Sequence, residues 1–322
     1  MQIYKFNSIL KPVLWGGDKL VAYKHLPVQQ QLIGESWELS SMPGRESVVA
    51  DGGDRGLTLT QLVQRYGADL VGKDVYRRFG DSFPLLIKLI DARRDLSIQV
   101  HPGDEMARRC HGCAGKNEMW YILEADEGAV IRTGFNRTIT ASEFDCRLAD
   151  GTILDVINAV ESRPGDTFFI PAGQIHTIGA GNLLVEIQQS CDITYRVWDY
   201  NRRDSDGNLR QLHVAQAREA LDYEPRQCKV LDTPCVGQGM TQLVDCPEFD
   251  VRRLAFTGCY RMDYPGEHSF DVLVCIKGEA VLRADGMPRV GLRQGETALV
   301  PAAVSRVEME GDATLLITTV LP

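Results

Sequence analysis

Apolar and polar residues alternate with a period of two over much of this chain, the signature of half-buried β-strands. The alternation says most between Pro84 and Leu123, PLLIKLIDARRDLSIQVHPGDEMARRCHGCAGKNEMWYIL. One apolar strand is predicted over Leu85–Leu89 and another over Met119–Leu123. Between them Ser97, Gln99 and His101 alternate with Ile98 and Val100, so the polar set shares one face and the aliphatics take the other. Leu183–Gln188 repeats the device, with Leu184, Glu186 and Gln188 on one side and Leu183, Val185 and Ile187 on the other. Glu127–Thr133 and Thr167–Ile170 read as further strands, and residues 1–57 as short strands and turns. Within Ile33–Ser40, Glu35 and Trp37 share one parity and Ser36, Glu38 and Ser40 the other, so one parity is expected to line a polar cavity.

Helical spacing is confined to three places. Apolar residues at 59, 62, 63 and 66 follow a cap at Thr58 or Thr60. A helical insert at about 140–160 opens at Thr140 or Ser142, with Leu154, Val156, Ile157 and Val160 as its apolar positions and Gly151 breaking it. A third helix is expected at about 212–221, after a polar loop at 201–208.

The chain also repeats itself. Gly165-x5-Pro171-x4-His176 recurs as Gly295-x5-Pro301-x4-Arg306 at identical spacing, GDTFFIPAGQIH against GETALVPAAVSR. Each copy follows a strand pair, EMWYIL…GAVIR or DVLVCIKGEAVLR. In the first copy Gly165 permits a tight turn and Pro171-Ala172-Gly173 a rigid one, which presents His176 inward. Two β-modules of one design are expected: 1–222 carrying the chemistry, a Pro- and Gly-containing linker at 223–248, and 249–322 as a degenerate copy. There Arg306 replaces the histidine, and a guanidinium has no lone pair to offer a metal, so that module is expected to be structural or lid-forming. The fold class is mainly β.

Composition narrows the function. The chain has 322 residues, 44% hydrophobic and 25% charged, with a net charge of −9 and a pI near 5.3. Such a balance argues against nucleic acid as a partner. No run reaches the roughly 18 apolar residues of a membrane span, and the N-terminal residues lack the basic and apolar regions of an export signal, so a cytoplasmic location is expected. Nine irregularly spaced cysteines then read as free thiols, and Cys110-His-Gly-Cys113 as half of a zinc knuckle without its partner pair.

Gln99, His101, Glu118 and His176 supply two imidazoles and two oxygens, a set that suits zinc and would accept iron, manganese or cobalt. Lys88, Lys116 and Arg196 are cations suited to an anionic substrate, although Arg196 beside Trp198 and Asp199 also fits a structural ion pair. The pattern Gly165-x5-Pro171-x-Gly173-x2-His176 resembles the second cupin motif, which implies an antiparallel β-barrel (jelly roll) with a metal in its mouth. The blocks GESWELS, PLLIKLIDARRDLSIQVHP, GKNEMWYIL, PAGQIHTIG and TYRVWDY together resemble the type I mannose-6-phosphate isomerases in their short bacterial form, from about residue 15 to 200.

The resemblance implies one zinc per chain on Gln99, His101, Glu118 and His176, and a small sugar phosphate as partner, bound by Arg196, Lys116 and Ser97 with Glu186, Lys88 and Glu35 close by. It implies interconversion of mannose 6-phosphate and fructose 6-phosphate through an enediol, in a monomer or weak homodimer. Glu186 is the first candidate for the base, in an apolar setting set by the aliphatics opposite, with Lys116 or Lys88 second; Arg196 and one lysine would hold the phosphate. Two alternatives differ in class: a non-enzymatic sugar-binding or regulatory cupin, and an iron-dependent cupin oxygenase, which Gln99 and the cations fit poorly.

Overall fold

The computed structural model describes residues 1–27, 32–203, 206–226, 237–264 and 269–320. In chain order its longer strands are β1 (Tyr4–Asn7), β2 (Ile9–Gly17), β3 (Ile33–Leu39), β4 (Leu85–Ala92), β5 (Ile98–Val100) and β6 (Glu118–Ala125). They continue as β7 (Val130–Phe135), β8 (Ile157–Glu161), β9 (Thr167–Ile170), β10 (His176–Ile178), β11 (Asn182–Gln189) and β12 (Tyr195–Trp198). The C-terminal part adds β13 (Gly239–Asp245), β14 (Asp250–Asp263), β15 (Asp271–Arg283), β16 (Val290–Arg293), β17 (Thr297–Val300) and β18 (Arg306–Thr319).

Two antiparallel sheets face each other in the N-terminal part. One runs β9-β6-β11-β4-β2-β3, the other β8-β7-β10-β5-β12. Between them lie Trp15, Ile90, Trp120, Ile122, Ile131, Phe168, Ile178 and Leu184. The outer face of the six-stranded sheet is buried too: Leu85, Ile87, Leu89, Met119, Val185 and Ile187 pack in one cluster with Phe249, Phe270, Val272 and Leu299. Burial on both faces explains why β4, β6 and β11 read as nearly continuous apolar runs. A polar residue inside such a run is conspicuous, since each one carries a desolvation cost that a partner must offset.

The third sheet runs β13-β14-β18-β15-β17-β1, with Val48–Val49 beyond β1 and β16 on β15. It departs from the expected segment limits. Strand β13 lies inside the 223–248 stretch expected as linker and pairs along β14, with a register shift between Gln242 and Val244 where the adjacent Leu243 and Val244 are both buried. The rest of that stretch, 227–236, lies outside the described residues. At the other end β1 pairs with β17, so the first strand of the chain completes the C-terminal sheet. The predicted helical insert at 140–160 is helix only over Ala141–Ala149, capped by Thr140, with Gly151 in the left-handed region. A short 3-10 turn and strand β8 follow, Val160 opposite Ile131. The β-branched Ile157 and Val160 favour an extended edge strand over a second helix. Leu59–Tyr66, by contrast, is helical with a capping box from Thr58 and Gln61.

The internal repeat is structural. Gly165 and Gly295 both have positive φ, β9 and β17 occupy equivalent positions, and β10 and β18 begin at His176 and Arg306. In the second module the interior is filled by Leu254, Phe256, Leu273, Leu282, Leu315 and Ile317, and Arg306 points outward to Asp263 at 2.7 Å.

The two modules are pinned by a buried ion pair. Lys24 Nζ donates to Glu38 Oε1 (2.5 Å), Ser8 Oγ (3.1 Å) and the Gly295 carbonyl (2.6 Å), with the Lys24 and Glu38 side chains 6% and 3% exposed. Replacing Lys24 by Met leaves Glu38 buried and unpaired, so we expect the variant to lose about 3–5 kcal/mol, read as a lower midpoint in urea unfolding.

Candidate active site

Two cross-strand rows build the site. In the six-stranded sheet Trp37, Lys88, Glu186, Trp120 and Phe168 are register partners across β3, β4, β11, β6 and β9. In the five-stranded sheet Thr133, His176, Gln99 and Arg196 are register partners across β7, β10, β5 and β12. Register partners stand on the same face of a sheet, and the rows meet where Trp120 packs edge-on against His176, ring centroids 5.5 Å apart. Alternation on β5 thus does what its sequence predicts: Ile98 and Val100 enter the core beside Tyr195 and Val197 while Gln99 turns to the site.

Glu118 opens β6 and is completely buried. His176 Nε2 lies 3.3 Å from its Oε1 and His101 Nε2 lies 3.4 Å from its Oε2. The far nitrogen of each ring is committed to backbone: His101 Nδ1 to the Ile193 carbonyl and His176 Nδ1 to the Gln174 carbonyl, both at 2.8 Å. These bonds make Nδ1 the donor and leave both Nε2 lone pairs facing the carboxylate. Protonating the rings would relieve that opposition, but burial holds both below their ordinary value, His176 at about 3. Burial alone would raise the Glu118 carboxyl; the Lys116 ammonium outweighs it and holds it well below the carboxylate range.

Lys116 Nζ sits 2.8 Å from Glu118 Oε2, outside hydrogen-bond angles, and donates to His101 Nε2 at 3.0 Å. Neither Glu118 oxygen accepts a regular hydrogen bond. Gln99 Nε2 lies 3.3 Å from His176 Nε2, bringing its amide into the set. Ligand atoms of His101, Glu118 and His176 lie within 4.8 Å of one another, the one such group among the described residues. A dry carboxylate and converging imidazole lone pairs are what a divalent cation requires. The residues fit a metal.

Beside this set opens a cleft of about 340 Å³. Six cations line it (Lys11, Arg45, Lys88, Lys116, Arg196 and Arg210) against three carboxylates, Glu35, Glu186 and Asp192. Lys11 pairs with Glu35 (3.0 Å), Lys88 with Glu186 (2.8 Å), Arg45 with Asp192 (2.8 Å) and Arg210 with Asp199 (3.3 Å). Arg196 makes no ion pair among the described residues. Its Nη1 donates to the Gln211 carbonyl (2.8 Å), while Asp199, expected as a possible partner, is taken by Arg202 and Arg210. Burial and the neighbouring Arg210 pull the Arg196 guanidinium below its ordinary value, as for a cation that lacks an anion.

Glu186 departs from its expected apolar setting. Its Oε1 accepts from Lys88 Nζ (2.8 Å) and its Oε2 from Trp120 Nε1 (3.1 Å), the partners on either side in its row. Burial would lower Lys88, yet Glu186 and Glu35 hold it above the usual lysine value. Of the two parities in β3, the Glu35 one faces the cleft: Trp37 Nε1 donates to Glu35 Oε2 (2.7 Å), with Lys11 over the indole at 4.3 Å. Ser97 lines the cleft and donates to Gln99 Oε1 at 3.2 Å.

The residues expected at the metal set and substrate pocket meet here, and Lys11, Arg45, Asp192, Thr194 and Arg210 join them unanticipated. A signal existed for the first, since Lys11, Val13 and Trp15 alternate along β2 and all line the cleft. For the others, on a short hairpin and loops, no periodicity exists to find them. The Cys110–Cys113 pair belongs to no metal group among the described residues. No helix among them is long and apolar enough to cross a membrane.

Fold and site together define a cupin with a candidate metal centre beside a cation-rich cleft. Residues 3–136 match the phosphomannose isomerase type I catalytic domain, and residues 239–320 the mannose-6-phosphate isomerase cupin domain. The chain is 32% identical over 316 residues to mannose-6-phosphate isomerase ManA of Bacillus subtilis, covering 97% of each, and 31% identical over 311 residues to the mannose-6-phosphate isomerase of Streptococcus mutans, covering 96% of each. A crystal structure of the mannose 6-phosphate isomerase from Bacillus subtilis aligns over 99% of this chain and 100% of that one, with a TM-score of 0.88 at 30% identity. The chain belongs to the type I phosphomannose isomerase family.

Glu118→Gln removes the one charge aimed at both imidazoles. We expect its affinity for a divalent metal to fall roughly 100-fold or more, measured as metal content by mass spectrometry after dialysis, with the far-ultraviolet spectrum unchanged.

Proposed function

We propose that this chain interconverts mannose 6-phosphate and fructose 6-phosphate in the cleft between the two rows. The observation that carries the proposal is the convergence there of a buried His-Glu-His set, a carboxylate held by two donors, and an arginine without an ion pair among the described residues. An aldose-ketose isomerisation moves a proton between C1 and C2 through an enediol, so it needs a base at those carbons, polarisation of their oxygens and a clamp for the phosphate.

A divalent cation, zinc being the expected one, would be held by Gln99, His101, Glu118 and His176 and would polarise the substrate oxygens. Arg196 presents its guanidinium fork to the phosphate. Glu186 is the base of choice: it takes the proton from one carbon and returns it to the other on the same face, its oxygens kept in position by Lys88 and Trp120. Lys88, held protonated by Glu186 and Glu35, acts as a fixed cation. Lys116 already donates to His101 and neutralises Glu118, which suits it to positioning and to binding a substrate oxygen. Val13, Trp15, Ile90 and Leu96 form the apolar part of the cleft wall.

A coupled assay on mannose 6-phosphate before and after chelation tests the reaction. Turnover is expected to fall roughly 100-fold or more without metal and to return when zinc is added back. Absence of turnover with every divalent metal, despite bound sugar phosphate, would leave a binding module. For the base, Glu186→Gln is expected to slow solvent tritium exchange into substrate by roughly 10²–10⁴-fold; near-normal exchange would remove Glu186 from the role.

A further inference from the structure

The mechanism leaves one chemical pair unused. The helix Asp104–His111 ends at Gly112, whose left-handed backbone turns the chain back. Cys113 Sγ is thereby set 3.8 Å from Cys191 Sγ, 78 residues away. Both are free thiols, Cys113 partly exposed and Cys191 buried. A disulfide places its sulfurs about 2.05 Å apart, so closure needs a movement of about 1.8 Å.

Each thiol sits in a loop that carries the site. Cys113 is three residues before Lys116. Cys191 begins the turn from β11 to β12, followed by Asp192, which pairs with Arg45, and by Ile193, whose carbonyl holds His101 Nδ1. That turn is tied to the six-stranded sheet by Gln188 Nε2, which donates to the Cys191 carbonyl at 2.5 Å.

We propose that Cys113 and Cys191 are a redox modification site, closing to an intrachain disulfide that draws the Lys116 and Ile193 loops together and turns the enzyme down. The oxidant is a peroxide. Cys113 sulfur attacks one peroxide oxygen, the O–O bond breaks, and sulfenic acid and one water result. Cys191 sulfur then attacks Cys113 sulfur, the S–O bond breaks, and the hydroxyl leaves as a second water with the Cys191 proton. Two thiols lose two electrons and the peroxide gains them. Burial, with Cys113 alongside, pushes the Cys191 thiol up to about 12, so the partly exposed Cys113, not Cys191, is the thiol that meets the peroxide. A dithiol reverses the reaction. The effect on turnover rests on the isomerase reading; the cross-link does not.

The test is equimolar hydrogen peroxide on the full-length protein, followed by non-reducing peptide mapping and the coupled assay. Expected are a peptide joining Cys113 to Cys191, about 2 Da lighter by two lost hydrogens, and turnover reduced roughly tenfold to 100-fold and restored by dithiothreitol. Cys113→Ser and Cys191→Ala should each abolish the cross-link and the loss, while Cys110→Ser, at the exposed neighbouring thiol, should keep both. Oxidation that stops at sulfinic acid, a cross-link through Cys110, or a cross-linked protein with unchanged turnover would overturn the proposal. A protein inactive before and after peroxide would contradict the isomerase reading, and the mapped peptide would still decide the cross-link.

Discussion

Cross-strand register is the constraint on which this molecule depends. The six-stranded sheet is buried on both faces, so a charge on it needs a neighbour that supplies the countercharge or donor. Lys88, Glu186 and Trp120 meet that condition because β4, β11 and β6 place them in one row. A slip of one residue in β11 would turn Glu186 into the apolar cluster and bring Val185 or Ile187 into the cleft. The opposing row, His176, Gln99 and Arg196, is set by the same rule. Polar function therefore costs the sheet no disorder; the pairing that satisfies burial is also the pairing that positions the groups.

Glu118 is the exception that defines the chemistry. Its oxygens make no regular hydrogen bond, and the histidines beside it are fixed in the tautomer that cannot donate to them. Lys116 offsets its charge while donating to His101 Nε2, and Gln99 Nε2 stands at His176 Nε2, yet neither carboxylate oxygen gains a regular hydrogen bond. Such an arrangement differs from a structural ion pair, like Lys24 with Glu38, in which every approach is donor to acceptor. The second module makes the same contrast from the other side: it keeps the turn, strand and turn of the first, yet Arg306 turns outward and the described interior is aliphatic and aromatic.

The convergence of the expected residues was legible where they sit on strands or at strand ends. Period-two alternation marks Gln99 and Glu186 as facing away from the aliphatics beside them, and the Gly165 to His176 spacing sets His176 at a strand start. Helix ends were legible where a side chain caps them, as at Thr58 and Thr140. Legibility failed where local pattern is ambiguous. Leu154, Val156, Ile157 and Val160 fit a helix as well as a turn and strand, and only the pairing of β8 with β7 selects the strand.

What the sequence determined by itself is the set of strands, the face each polar residue takes and the duplication of the module, since these follow from alternation and from Gly and Pro spacing. What only the tertiary structure decided is which faces meet. The contribution of Arg45, Asp192, Thr194 and Arg210 to the cleft, the return of β1 to the last sheet and the approach of Cys113 to Cys191 all join residues far apart in the chain. Local periodicity carries no information about such distances. They are set when apolar faces of separate sheets bury one another and bring their loops to a common edge.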